Sequence, residues 1–143
     1  MPFEIKRTYW IYDVPGGEIR GGHAFKEQQE LIIVLSGSLD VVVFDGTEEK
    51  KFSLNRSYYG LYVPSCLWRH MENFATNTLA IVVSSTLFEE SDYIRDKDEF
   101  LKKFAKFSIA GVAITVSPSH EGSSIRIFIS IVYSGFYLDL FQK

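Results

Sequence analysis

The 143-residue sequence predicts an all-β domain, a sandwich or barrel, with one short helix. Three observations carry that expectation. Short runs of β-branched and aromatic residues recur roughly every ten residues, with turn signals between them. Several of these runs alternate with the period of two that a strand requires. Aromatic residues make up 15% of the chain, 12 Phe and 8 Tyr among them, enough to fill a small barrel or to wall a pocket. The 46% hydrophobic and 23% charged residues exclude a disordered or fibrous chain. A net charge of −3 gives no electrostatic footprint for nucleic acid or an anionic membrane. The single cysteine, Cys66, excludes an internal disulfide.

The first strand is written from Phe3 to Tyr12, with Ile5, Arg7, Tyr9 and Ile11 on one face and Lys6, Thr8, Trp10 and Tyr12 on the other. Aromatics on both faces imply a strand with no fully solvated side. Pro15-Gly16-Gly17 turns the chain, and Gly21-Gly22 permits unusual backbone angles or a close approach. Leu31–Leu35 reads as a buried strand, and Leu39–Phe44 as another that ends at the hairpin signal Asp45-Gly46. Lys51–Leu54, Gly60–Val63, Trp68–Met71 and Thr78–Ser84 supply further short strands. A helix is expected near 96–106: Asp96 followed by Glu99 forms a capping-box start, and Phe100, Leu101 and Phe104 make an apolar stripe. Lys102, Lys103 and Lys106 suit the end of its dipole.

Composition changes after this helix. Residues 107–143 carry four charges, Glu121, Arg126, Asp139 and Lys143, against 29 in residues 1–106. The first part is expected to form the barrel and the second a strand-forming extension packed on the same domain or at a subunit interface. The uncharged run Ile127–Leu138 is too short to span a bilayer. No secretion signal opens the chain, so a cytoplasmic protein is expected.

Two segments offer chemistry. In Arg20-Gly-Gly-His23-Ala-Phe25, glycines let the backbone approach a ligand, Arg20 suits a phosphate or carboxylate, and His23 titrates near neutral pH. Taken alone, His23 reads more readily as a satisfied core histidine. Arg7 and Tyr9 share a face, and an arginine inside a barrel is costly unless an anion meets it. In Trp68-Arg69-His70-Met71, Arg69 and Met71 share the face opposite Trp68 and His70. His23, His70 and Glu30 make a poor metal set, so no metal or other cofactor is expected. Cys66 reads as a small buried hydrophobe and His120 as an exposed loop residue. No phosphate loop, dinucleotide fingerprint or nucleophile elbow is present.

The motifs Pro2-Phe-Glu-Ile-Lys-Arg-Thr-Tyr-Trp-Ile-Tyr-Asp13, Arg20-Gly-Gly-His-Ala24, Gly37, Asp45-Gly46, Gly60-Leu-Tyr-Val63, Trp68, Ser91-Asp-Tyr-Ile-Arg95 and Asp98-Glu-Phe100 occur in order. Together they resemble the sugar 3,4-ketoisomerases, relatives of the deoxysugar epimerases, from about Pro2 to Phe104. The resemblance implies a cupin-type jelly-roll β-barrel, a homodimer, and metal-independent isomerisation of dTDP-4-keto-6-deoxyglucose through an enediol. It implies His23 and Tyr9 as catalytic residues, and Arg7, Arg20, Arg69 and Phe25 as the lining of a nucleotide-sugar pocket. His23 matches the first histidine of a His-Ala-His motif, and Phe25 stands where the second belongs, which implies reduced or lost activity. The alternatives are a non-catalytic cupin holding a nucleotide-sugar or other small ligand, and an interaction protein that uses its C-terminal strands. The family's N-terminal strands precede the point where this chain starts, and the segment from Phe107 is expected to replace them.

Overall fold

The computed structural model describes residues 2–104 and, beyond them, the backbone of three strands. Eight strands come first: β1 (Arg7–Tyr12), β2 (Arg20–Phe25), β3 (Glu30–Ser36), β4 (Leu39–Phe44), β5 (Glu49–Leu54), β6 (Gly60–Val63), β7 (Trp68–Glu72) and β8 (Leu79–Ser84). A 3₁₀ turn (Glu90–Asp92), the short β9 (Tyr93–Ile94) and helix α1 (Lys97–Phe104) follow. The last strands are β10 (Val112–Pro118), β11 (Ile125–Tyr133) and β12 (Phe136–Leu138). Lys106 and His120 lie outside the described residues, as do the ends of the expected helix and C-terminal strands.

These strands form two antiparallel sheets packed as a sandwich. One runs β1-β8-β3-β6-β10-β11-β12 and the other β5-β4-β7-β2-β9. β10 joins the first sheet through β6, with Val112 opposite Tyr62 and Ile114 opposite Gly60. Alternation explains the core. Ile32 and Val34 of β3, Val41 and Val43 of β4, Leu61 and Val63 of β6, and Ala80 and Val82 of β8 point inward and are buried. Asp45 makes the predicted hairpin: its Oδ1 accepts the N–H groups of Thr47 and Glu48 at 2.7 Å each, and Gly46 adopts φ 100°.

Helix α1 closes the outside of the five-stranded sheet. Asp96 Oδ1 accepts the Glu99 N–H at 2.8 Å, the cap that its spacing predicts. Phe100, fully buried, packs with Trp68, Ala24 and Ile94. The first strand departs from expectation. It begins at Arg7 and forms the edge of its sheet, and its outer face is open, with Trp10 54% and Tyr12 64% exposed. No element among the described residues covers that face, so aromatic content alone did not imply burial. Among the described residues no helix is long and apolar enough to cross a membrane.

Candidate active site

At the end of the sandwich where β1, β2 and β7 meet, a cavity of about 390 Å³ is lined by Arg7, Tyr9, Arg20, His23, Arg69 and Tyr93, with Ile11, Gly21, Met71 and Arg95 beside them. Five of the six expected site residues therefore converge. Phe25 does not line this cavity. It is buried behind His23, with its ring edge-on to the imidazole at 4.8 Å between centroids, and it also packs on Tyr93 at 4.6 Å. His23 and Phe25 share one side of β2, as period two requires, but only His23 reaches the wall.

β2 is bent for a reason visible in the sequence. Arg20 pairs with Met71 and His23 with Arg69, so β2 spends one more residue than β7 over the same stretch, a bulge. Gly21 sits there at φ 73°, and a Cβ on it would lie 2.0 Å from Arg69 Nη1. That nitrogen donates to the Gly21 carbonyl at 3.2 Å. The glycine thus makes room for the arginine that it helps to hold. Gly21→Ala is expected to destabilise the fold by about 1–2 kcal/mol or more, through left-handed strain and displacement of Arg69. Urea denaturation measures the loss.

Arg69 is 1% exposed, a guanidinium in the protein interior. Its partner is Glu30, also 1% exposed, which accepts from Nε at 2.9 Å and Nη2 at 2.5 Å. Burial by itself disfavours the cation, but Glu30 and Tyr9 outweigh it and hold the Arg69 pKa above its usual value. Glu30 Oε1 also accepts from the Tyr9 hydroxyl at 2.9 Å and from Gln28 Nε2 at 3.0 Å. Desolvation, then the charge of Glu30, raises the Tyr9 pKa, so its hydroxyl stays protonated. Gln28 Oε1 in turn accepts from Arg7 Nη2 at 3.1 Å and from the Thr86 hydroxyl at 2.9 Å.

Four guanidinium groups line the cavity, and they are not equivalent. Arg69 is neutralised by Glu30, Arg20 meets Glu18 at 3.1 Å, and Arg95 meets Glu90 through two bonds of 2.8 and 3.1 Å. The last two pairs are exposed and therefore weak. Arg7 has no carboxylate partner among the described residues. It donates only to Gln28 and, at 3.4 Å, to the Tyr93 hydroxyl; its buried Nε has no partner, and the Tyr9 and Phe88 rings lie about it. A half-buried cation held only by neutral groups keeps its charge uncompensated.

His23 brings an imidazole to the cavity wall. Burial, reinforced by the charges of Arg69, Arg95 and Arg7, pushes its pKa down to about 3. The imidazole is therefore neutral at pH 7, and no described group bonds its buried Nε2. Because its folded pKa lies below the unfolded value of about 6.5, His23 favours the folded state above that pH. Its contribution is lost as pH falls from about 6.5 toward 3, with a slope of at most about 1.4 kcal/mol per unit. Urea titrations at pH 7 and 5 should show a smaller difference for His23→Asn than for wild type.

The remaining candidates lie elsewhere. His70 bonds Glu72 at 3.1 Å and does not line the cavity. Cys66 is half-buried at φ 64°, less covered than its reading as a buried hydrophobe implied, and burial raises its thiol pKa. The sequence alone marks no chemistry at Gln28 or Tyr93, and offers Glu30 only as a member of a poor metal set. Glu30 alone left a usable sign, a carboxylate at the head of the apolar run Leu31–Leu35 that cannot stay buried without a cation.

A cupin-like sandwich thus brings a neutral imidazole, a tyrosine and an arginine without a carboxylate partner among the described residues to one cavity. The chain belongs to the FdtA family (WxcM-like, C-terminal), whose family model matches residues 1–105. It is 38% identical over 109 residues to the TDP-4-oxo-6-deoxy-alpha-D-glucose-3,4-oxoisomerase of Aneurinibacillus thermoaerophilus, covering 76% of this chain and 78% of that protein. A 3,4-ketoisomerase from Helicobacter canadensis superposes with a TM-score of 0.70 at 43% identity, over 71% of this chain and 77% of the other. The sugar 3,4-ketoisomerase QdtA from Thermoanaerobacterium thermosaccharolyticum, solved in complex with TDP, gives 0.73 at 35% over 74% and 77%. A histidine-to-asparagine variant of QdtA was solved with TDP-4-keto-6-deoxyglucose.

Proposed function

We propose that this chain is itself a TDP-sugar 3,4-ketoisomerase acting on a TDP-4-keto-6-deoxyhexose, with His23 as its base. The observation that carries this reading is the neutral His23 imidazole, Nε2 unpartnered, on the same cavity wall as the carboxylate-free Arg7. Arg7 meets the diphosphate, and Arg20 and Arg95 exchange their exposed carboxylates for it. His23 takes the C3 proton, the C–H electron pair forms the C3–C4 double bond, and the C4 carbonyl oxygen takes the charge. Transfer of the O3 proton to O4 and return of the proton held by His23 to C4 then place the carbonyl at C3 and a hydroxyl at C4. The guanidinium groups favour the anionic enediolate, and Tyr9 borders it.

Phe25 stands at the second histidine position of the family motif. There it packs against His23 and offers no second proton acceptor beside it. That packing supports the alternative of a non-catalytic nucleotide-sugar binder. Both readings take TDP, so binding is tested first. Wild type is expected to bind TDP by calorimetry, and Arg7→Ala to bind it about ten- to a hundredfold more weakly. Undetectable TDP binding by the wild type would sink both. We further propose a homodimeric, cytoplasmic protein in which the segment after residue 106 belongs to the barrel domain, a reading that the β10–β6 pairing supports; sedimentation tests the dimer.

A further inference from the structure

The hydrogen bonds around Tyr9 run in a fixed sense. A tyrosine hydroxyl has one proton to donate, and a carboxylate beside an arginine only accepts. Tyr9 gives that proton to Glu30 Oε1 at 2.9 Å, and Arg69 Nη2 approaches the Tyr9 oxygen as a donor at 3.4 Å. Glu30 cannot turn away, because Arg69 and Gln28 hold its two oxygens from other directions. Toward the cavity, then, Tyr9 has only acceptor capacity left.

We propose that Glu30 determines specificity: by holding the Tyr9 proton, it makes Tyr9 a hydrogen-bond acceptor that selects a sugar hydroxyl and rejects a carbonyl or other acceptor at that point. In the ketoisomerase reading, on which the identity of the hydroxyl rests, it is the one at C3, whose proton must leave for the product carbonyl to form. Glu30 itself stays behind Tyr9 and acts through it as a positioning residue. Glu30→Gln reverses the sense. The new side-chain oxygen is claimed by Arg69, its NH₂ donates to Tyr9, and the Tyr9 proton is released toward the cavity.

The test compares TDP-glucose with TDP-3-deoxy-3-fluoroglucose, whose fluorine cannot donate, by calorimetry on the whole chain. Wild type should prefer the hydroxyl sugar about ten- to a hundredfold, the cost of facing an acceptor with an acceptor. Tyr9→Phe should abolish the preference, and Glu30→Gln should shrink it by improving binding of the fluoro sugar. A merely structural role for Glu30 would weaken both sugars alike. Equal binding of the two sugars by wild type, or an unchanged preference in Tyr9→Phe, overturns the proposal whether or not Glu30→Gln folds. If wild type does not bind TDP, the ketoisomerase reading fails separately. The resonance Raman tyrosine doublet, wild type minus Tyr9→Phe, then decides without ligand: a donor signature upholds the assignment and an acceptor signature overturns it.

Discussion

Arg69→Met is expected to cost about 3–5 kcal/mol of folding stability, the largest effect of any single change at the site. The reason is what it leaves behind. Glu30 is 1% exposed and accepts two bonds from the Arg69 guanidinium, so methionine strands a carboxylate where water does not reach. The double variant Arg69→Met/Glu30→Leu buries no charge and should recover much of the loss. The remainder, about 1–3 kcal/mol, belongs to the Tyr9 hydroxyl and the Gln28 amide, which then lack their acceptor. Urea midpoints of the three proteins give the comparison. A single variant as stable as wild type would mean that solvent or another cation reaches Glu30.

His23→Asn should lower kcat by about 10²–10⁴-fold, the usual worth of a positioned general base, and leave TDP affinity unchanged. Asparagine keeps the size and polarity of the imidazole but accepts no proton. The depressed pKa of His23, about 3, has a second consequence. Wild-type kcat/KM should show no loss of activity around pH 6.5, since the free imidazole is not protonated there. A diphosphate in the cavity offsets the Arg7 and Arg95 charges that depress His23, so the pKa must rise when TDP binds. An NMR titration of His23 with and without TDP reads that rise directly. A pKa that does not move would place the diphosphate away from these arginines.

Most of the sandwich was legible because strand periodicity is local. Alternation puts Arg69 and Met71 on one side of β7 and leaves Trp68 to pack with Phe100, as the structure shows. Asp96 and Glu99 announce the start of α1 in the same way. The pairing of Glu30 with Arg69 was not legible. β3 and β7 belong to different sheets, and their meeting across the core depends on topology that no spacing encodes. For the same reason Tyr93 and Arg95 stood out only as part of a motif, although the bulge in β2 and the short β9 carry them to the cavity. Phe25 illustrates the reverse. Its place on the His23 side of β2 was readable, but whether it lined or backed the cavity depended on the ring of Tyr93.

The central claim, that His23 still acts as a base with Phe25 packed against it, rests on one proton. Wild-type protein incubated with TDP-4-keto-6-deoxyglucose in D₂O and followed by proton NMR shows whether that proton moves. The account predicts loss of the C3 proton signal and growth of a 3-keto product, both absent in His23→Asn. Retention of the C3 proton in the wild type, with TDP binding intact, would contradict it and leave a sugar-nucleotide cradle without a base.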